Sequence, residues 1–237
     1  DSSSTSLVLH GCTIDGFSSN GGYGFFPPHY SSVSFLGETY FLFHSNFFLY
    51  SDTVKSLYFG ENFSLHHSYS NDMWDIAWAY AIDSQGNANL TRIEVSDNNE
   101  TFDSRNDCNA LIETATNTLL IGCATTVIPE DVTRIVKYAF WGVGHNSDNL
   151  TITIPESVTE IGDSAFGYYM GSSIIMCATT PPSIGYGCFG STNDFPIYVP
   201  AGSVNAYKAA DGWSNYANRI FSVQGGTVPG TGDDGND

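Results

Sequence analysis

Two stretches of this chain carry the same thirteen-residue phrase. Residues 128–140 read IPEDVTRIVKYAF and residues 154–166 read IPESVTEIGDSAF, 26 positions later, with eight of the thirteen residues identical. A fixed period in the twenties is the mark of a solenoid. Each coil buries its apolar edge against its neighbours and has too little core to stand alone.

The phrase continues in weaker form. Residues 182–189 repeat its second half, with Ile184 on Ile161 and Phe189 on Phe166; residues 199–204 repeat its first half, with Val199 on Ile154 and Val204 near Val158. Each copy follows a short apolar run. Leu150-Thr151-Ile152-Thr153-Ile154 is the clearest, and such alternation argues a strand with one face buried. Upstream, residues 54–59 and 90–95 fit an L-x-x-L-x-L frame. The last inward residues are then Phe59, Val95, Ile128, Ile154, Cys177 and Val199. This predicts six parallel strands, one per coil, near 54–59, 90–95, 126–128, 150–154, 174–177 and 195–199. Proline directly after several of these runs ends the ladder and forces a turn. Within a unit, Val158, Ile161, Ala165 and Phe166 are expected inward, with residues 163–166 making one turn of helix.

The pattern I-P-x-S-V-T-x-I-G-x-x-A-F resembles the repeat of BspA-like leucine-rich-repeat proteins, found on the surfaces of gut and oral bacteria. The resemblance covers residues 90–223. Residues 102–119 resemble a recurrent insertion of that family, and residues 199–208 resemble its ending. The resemblance implies a secreted or surface-anchored binding protein, often proposed as an adhesin, with no catalytic residues to transfer. The expected fold is mainly β with short helical turns: a right-handed leucine-rich-repeat solenoid over 54–223 with a C-terminal cap. Residues 1–53 depart from the pattern. They are aromatic-rich and read as an irregular N-terminal cap of antiparallel strands, including 40–43 and 46–50, because an open solenoid end exposes core and unpaired edge. Residues 224–237 are acidic and glycine-rich and read as a disordered tail.

Two further elements are predicted. Met73, Ile76, Ala77 and Tyr80 share one helical face behind Asn71 or Asp72 as N-cap. Near the other end, Ser203 is expected to cap a helix over 204–210, with Trp213, Tyr216 and Ile220 closing the last coil.

Charge removes some functions. With 25 acidic residues against 7 basic, the net charge is −18. Nucleic acid is an unsuitable partner, since phosphates need clustered Lys and Arg, and so is anionic lipid. Solubility is the simplest meaning of the acidity. No apolar run reaches the roughly eighteen residues needed to span a bilayer. The start, Asp1 to Ser6, reads as a polar tether left after processing.

The chemistry-bearing residues have plain alternatives. Cys108 and Cys123 flank a predicted hairpin in which residue numbers summing to 231 lie opposite. They are either a disulfide in an oxidising location or two small core residues. Cys177 and Cys188 are expected in the core. His66-His67 is adjacent, so the two side chains diverge, and no zinc spacing is present; a loop is expected. Asp97-Asn98-Asn99-Glu100 with Asp103 is oxygen-rich but lacks calcium-loop spacing, and reads as turn chemistry. The N-x-S/T triplets at Asn62, Asn89, Asn99 and Asn149 are chance in a bacterial protein. No nucleophile elbow, phosphate loop or marked carboxylate pair appears. No cofactor, metal or catalytic residue is therefore assigned.

The functional expectation is a non-catalytic cell-surface or secreted binding or adhesion module. It would act as a monomer, with an extracellular protein or glycan as partner. A glycan-active hydrolase and a purely structural spacer are the alternatives. Two docking surfaces are nominated. The first is an outward column along the strands: Tyr58, Glu94, Val127, Thr153, Met176 and Tyr198. The second is a flanking patch of Trp141, Tyr168 and Tyr169, which follow the Ala-Phe turns.

Overall fold

The computed structural model describes residues 5–10, 12–15, 30–42, 54–67, 89–144, 149–190 and 194–223. One ladder of parallel strands joins β1 (Thr5–Leu9), β3 (Tyr30–Phe35), β5 (Ser56–Phe59) and β7 (Arg92–Val95). A second, also parallel, joins β2 (Cys12–Asp15), β4 (Glu38–Leu42) and β6 (Ser64–His67). Each early coil therefore gives two strands, one to each ladder. Downstream, β12 (Thr151–Ile154), β14 (Ser173–Met176), β16 (Ile197–Val199) and β17 (Ile220–Ser222) form one parallel ladder. The two-residue strands β11 (Arg134–Ile135), β13 (Glu160–Ile161) and β15 (Ser183–Ile184) form the other.

Between these halves sits an insertion. β8 (Phe102–Asp103), β9 (Ala110–Glu113) and β10 (Thr118–Gly122) run antiparallel to one another, and β10 then pairs in parallel with β11. The molecule is thus a mainly β solenoid with few short helices. The principal helix is α1 (Val204–Ala209).

The buried positions follow strand alternation. Val33 and Phe35, Leu57 and Phe59, Ile152 and Ile154, and Ile197 and Val199 all point into the core. Val158, Ile161, Ala165 and Phe166 are at most 1% exposed. One residue of each coil stacks on the next: Phe140, Phe166 and Phe189 lie 4.9 and 5.7 Å apart, and Trp213 follows at 5.1 Å. Trp213, Tyr216 and Ile220 are buried and close the last coil.

Several expectations are corrected. The N-terminal strands are not an antiparallel cap: β1 and β3 pair in parallel with the solenoid ladder, because Leu7, Val33, Leu57 and Ile93 occupy one register position. The predicted strand at 40–43 corresponds to β4, while 46–50, the 73–80 helix and the 224–237 tail lie outside the described residues. Residues 126–128 form no strand, since their backbone is taken by the insertion: Val127 N–H donates to Cys108 O (3.0 Å). The 163–166 turn is not helical, because Ser164 has a left-handed φ of 48°. Its N–H groups alternate instead between the turn and the next coil, with Ser164 N–H donating to Tyr186 O and Phe166 N–H to Cys188 O.

Ser203 precedes α1 but does not cap it; its hydroxyl donates to Thr179 O of the preceding coil (2.7 Å). Ser157 does the same to Val132 O (2.7 Å). Cys177 is half-buried, and Met176 takes the inward position opposite Ile154.

The hairpin turns as expected, but a bulge between Leu119 and Ile121 moves the register by one. Cys123 therefore meets residue 109, its Sγ lying 3.4 Å from Asn109 O, while Cys108 Sγ faces Ser104 Oγ at 3.7 Å. Both are buried free thiols.

Candidate functional site

The outward column splits. Tyr58 and Glu94 are opposite one another on β5 and β7. Arg92 hydrogen-bonds Glu94 and holds its carboxyl below the ordinary value. Val127 is 73% exposed but belongs to no strand, so the column stops there. It restarts as Thr153, Ile175, Tyr198 and Phe221. Met176, assigned to this face from the sequence, is core, and Ile175 takes its register position but is itself 1% exposed, so this strand offers no surface to the column. The slip came from treating Cys177 as the inward end of its strand.

The flanking patch is better formed. Trp141 follows Phe140, and its six-membered ring lies on Gly167: a Cβ built there would fall 2.3 Å from two ring carbons. The glycine is therefore required for the indole to lie flat. Tyr138 meets Trp141 edge-on at 5.3 Å, and Tyr168 packs on its other side at 4.8 Å. Tyr168 stays 40% exposed. Its φ of 52° occupies the same turn position as Gly142 one coil earlier, two residues past the stacked phenylalanine.

Tyr169 does not join the patch. It is fully buried, and its single hydroxyl proton is shared between Leu150 O and Ser173 O, at 3.2 and 3.1 Å. Burial pushes that hydroxyl's pKa up, so it remains a donor.

The structure adds residues that the sequence reading missed. Tyr186 is 90% exposed on a fixed backbone. Its N–H donates to Asp163 Oδ1 (2.6 Å), and its carbonyl accepts from Ser164 N–H (3.0 Å). Gly185 makes room for that carboxylate, since a Cβ there would fall 2.2 Å from Asp163 Oδ1. With Trp141 and Tyr168, Tyr186 borders an open cleft of about 750 Å³, whose far wall carries Asp194, Asp211, Asn215 and Arg219. The signal for Tyr186 was present: in I-G-Y-G-C-F it replaces the Asp163 of I-G-D-S-A-F, an aromatic where the turn needs only a small polar residue.

Arg219 closes the cleft floor. Its guanidinium lies over Phe195 at 4.1 Å and donates to Phe195 O, Gly190 O and Phe189 O at 3.1, 3.3 and 3.4 Å. Burial lowers its pKa, but an arginine remains charged throughout the working range. Here the cation satisfies turn carbonyls that the end of the solenoid would otherwise leave bare.

The oxygen-rich loop is turn chemistry. Asn99 Nδ2 donates to Gly60 O and Phe63 O at 2.8 and 2.9 Å, and its Oδ1 accepts from Thr101 N–H and Phe102 N–H at 2.9 and 2.8 Å. Asp103 is occupied by Arg105 (2.6 Å). A polar hollow of about 740 Å³ nearby is lined by Tyr58, Glu94, Asp97 and Asp107, among others. His66 and His67 lie in β6 rather than in a loop. Among the described residues no three His, Cys, Asp or Glu side chains converge as a metal site. Burial raises the pKa of Cys108, Cys177 and Cys188, which suits packing rather than thiolate chemistry.

No family model and no curated protein matches the sequence. Solved structures similar to it include the following two. One is a leucine-rich repeat protein from Eubacterium ventriosum, with 19% identity, TM-score 0.43, and coverage of 75% of this chain and 59% of that one. The other is the pneumococcal vaccine antigen PcpA, with 10% identity, TM-score 0.38, and coverage of 92% and 79%. The chain thus spans about three-fifths of the length of the first. No helix among the described residues is long and apolar enough to cross a membrane.

Proposed function

We propose that this chain is a non-catalytic binding module of the BspA-like leucine-rich-repeat kind, displayed on a cell surface or secreted. It acts as a monomer that holds an extracellular protein or glycan against its flank. The observation that carries this reading is the group Trp141, Tyr168 and Tyr186, with two of the rings exposed and all held on coil turns whose backbones are bonded to their neighbours. Rigid aromatic anchors lose little freedom on binding and concentrate binding energy. The acidic surface keeps such a module soluble and away from nucleic acid.

The test is an array of immobilised extracellular-matrix proteins and glycans probed with the purified chain and two double variants. Tyr168→Ala with Tyr186→Ala should abolish capture of any partner found. Tyr58→Ala with Tyr198→Ala should leave it unchanged. The reverse result would move the docking surface to the strand face, and hydrolysis of an arrayed glycan would replace the module with an enzyme.

A further inference from the structure

The cleft beside Tyr186 has a lining that selects one ligand class. A protein hot spot needs aliphatic contacts around its aromatic anchors to exclude water. Among the described lining residues Ile184 is the single aliphatic side chain, and glycines 167, 185, 187, 190 and 212 make up much of the lining. The polar wall consists of groups that handle hydroxyls. The carboxylates of Asp194 and Asp211 accept, the amide of Asn215 both donates and accepts, and all three residues are exposed. Asp211 uses one oxygen on Gly212 N–H (3.0 Å).

Charge narrows the choice further. Two carboxylates repel an anionic sugar, and the one cation among the described lining residues, Arg219, has its guanidinium committed to three carbonyl oxygens and the Phe195 ring. A basic peptide would be drawn to the same carboxylates, but it offers no rim of hydroxyls for Asn215 and the polar wall to bond. What remains is a neutral molecule with one flat apolar face and a rim of hydroxyls. A volume of about 750 Å³ accommodates a short oligosaccharide.

We propose that this cleft is a subsite for a neutral carbohydrate, with a sugar ring lying against Tyr186 and its hydroxyls bonded by Asp194, Asp211 and Asn215. The proposal rests on the binding-module reading and gives it a ligand class. Tyr186 suits the role because its exposed ring contributes almost nothing to the core, while Asp163 and Ser164 fix its backbone.

The experiment prints neutral gluco-, galacto-, manno- and N-acetylhexosamine oligosaccharides beside sialylated and sulfated glycans and matrix proteins. The best-bound sugar is then titrated by calorimetry. At least one neutral oligosaccharide should bind. Tyr186→Ala should weaken it by about tenfold or more, and Asp211→Ala by a similar factor, while both variants keep the wild-type melting temperature. Unchanged affinity in both variants would overturn the site, and binding confined to anionic glycans would overturn the neutral class. Capture of matrix proteins with no sugar bound would remove the carbohydrate assignment and leave the module standing. Capture of neither would remove both.

Discussion

The upstream and downstream coils pair their strands alike but step between them at different spacings. Upstream, the ladder steps from Leu7 to Val33, Leu57 and Ile93 are 26, 24 and 36 residues. Downstream, those from Ile152 to Ile174, Ile197 and Ile220 are 22, 23 and 23. The downstream turns are bonded to one another: Phe140 N–H donates to Ala165 O, and Phe166 N–H to Cys188 O. Their left-handed residues, Tyr138, Ser164 and Gly187, coincide from coil to coil. A turn that bonds to its neighbour cannot change length without losing those bonds. A connection with no such bond is free to vary, because lengthening a loop costs little. Regular sequence therefore marks the coils whose turns are also part of the ladder.

The largest expected effect is at the centre of the downstream stack. Phe166 is fully buried between Phe140 and Phe189. Phe166→Ala should cost about 3–5 kcal/mol in urea unfolding. A loss below about 1 kcal/mol would mean that the stack does not hold the coils.

A matched pair of glycines tests the turns directly. A Cβ at Gly162 would fall 2.3 Å from Lys137 N, which is backbone and cannot move aside; at Gly60 the nearest atom is the flexible Leu36 Cδ2 at 3.0 Å. Gly162→Ala should cost about 2–3 kcal/mol or more, and Gly60→Ala about 1 kcal/mol. Equal losses in thermal melts would erase the distinction between the halves.

The same contrast governs what was legible in the sequence. The downstream solenoid, its inward residues and its closing aromatics could be read because the phrase recurs. Upstream, the strands at 54–59 and 90–95 could be read from their L-x-x-L-x-L frame, but β1 and β3 could not, although Leu7-x-Leu9 and Val33-x-Phe35 carry an apolar alternation at the repeat spacing. The aromatic-rich stretches between them carry no shared phrase that would align one coil with the next. Of the candidate binding residues, Trp141 and Tyr168 came together and Tyr169 was lost to the core. The residue types are the same, but Tyr169 lies one step further along the turn, where the chain bends inward. Asp194, Asp211 and Arg219 come from loops and a cap carrying no repeat, and only folding brings them to the cleft.

Upstream, where turns differ in length, single side chains bridge the coils. Asn99 bonds two carbonyls, Gly60 O and Phe63 O, and accepts two N–H groups of its own turn. Asn99→Ala should cost about 2 kcal/mol, since it strips partners from half-buried groups. Native-state hydrogen exchange should show faster opening at residues 56–64 than at 151–161 in the variant. Uniform acceleration would mean that the two halves open as one unit.

The smallest effect falls at the joint between the halves. Arg105 grips Asp103 through two hydrogen bonds (2.7 and 2.6 Å), Asn117 at the hairpin tip (2.7 Å), and Asp131, which occupies the repeat position of Ser157. Burial pushes the Asp103 carboxyl up, but its hydrogen bonds from Arg105 and Thr114 outweigh this and hold it below its ordinary value. A depressed native pKa contributes stability that is present above the unfolded value, near 3.9, and lost as pH falls through the native one. In Arg105→Gln only the Thr114 hydroxyl and the residue 105 N–H are left to oppose the burial penalty, so the contribution of Asp103 shrinks. The variant should be less stable than wild type by about 1 kcal/mol at pH 6, a modest figure because the pair is partly solvated. That gap should shrink as pH falls below about 4. Taking the difference between the two proteins cancels the shared relief of repulsion as the other carboxylates protonate. A gap that stays constant from pH 6 down to 3 would mean that Arg105 holds the joint through packing alone.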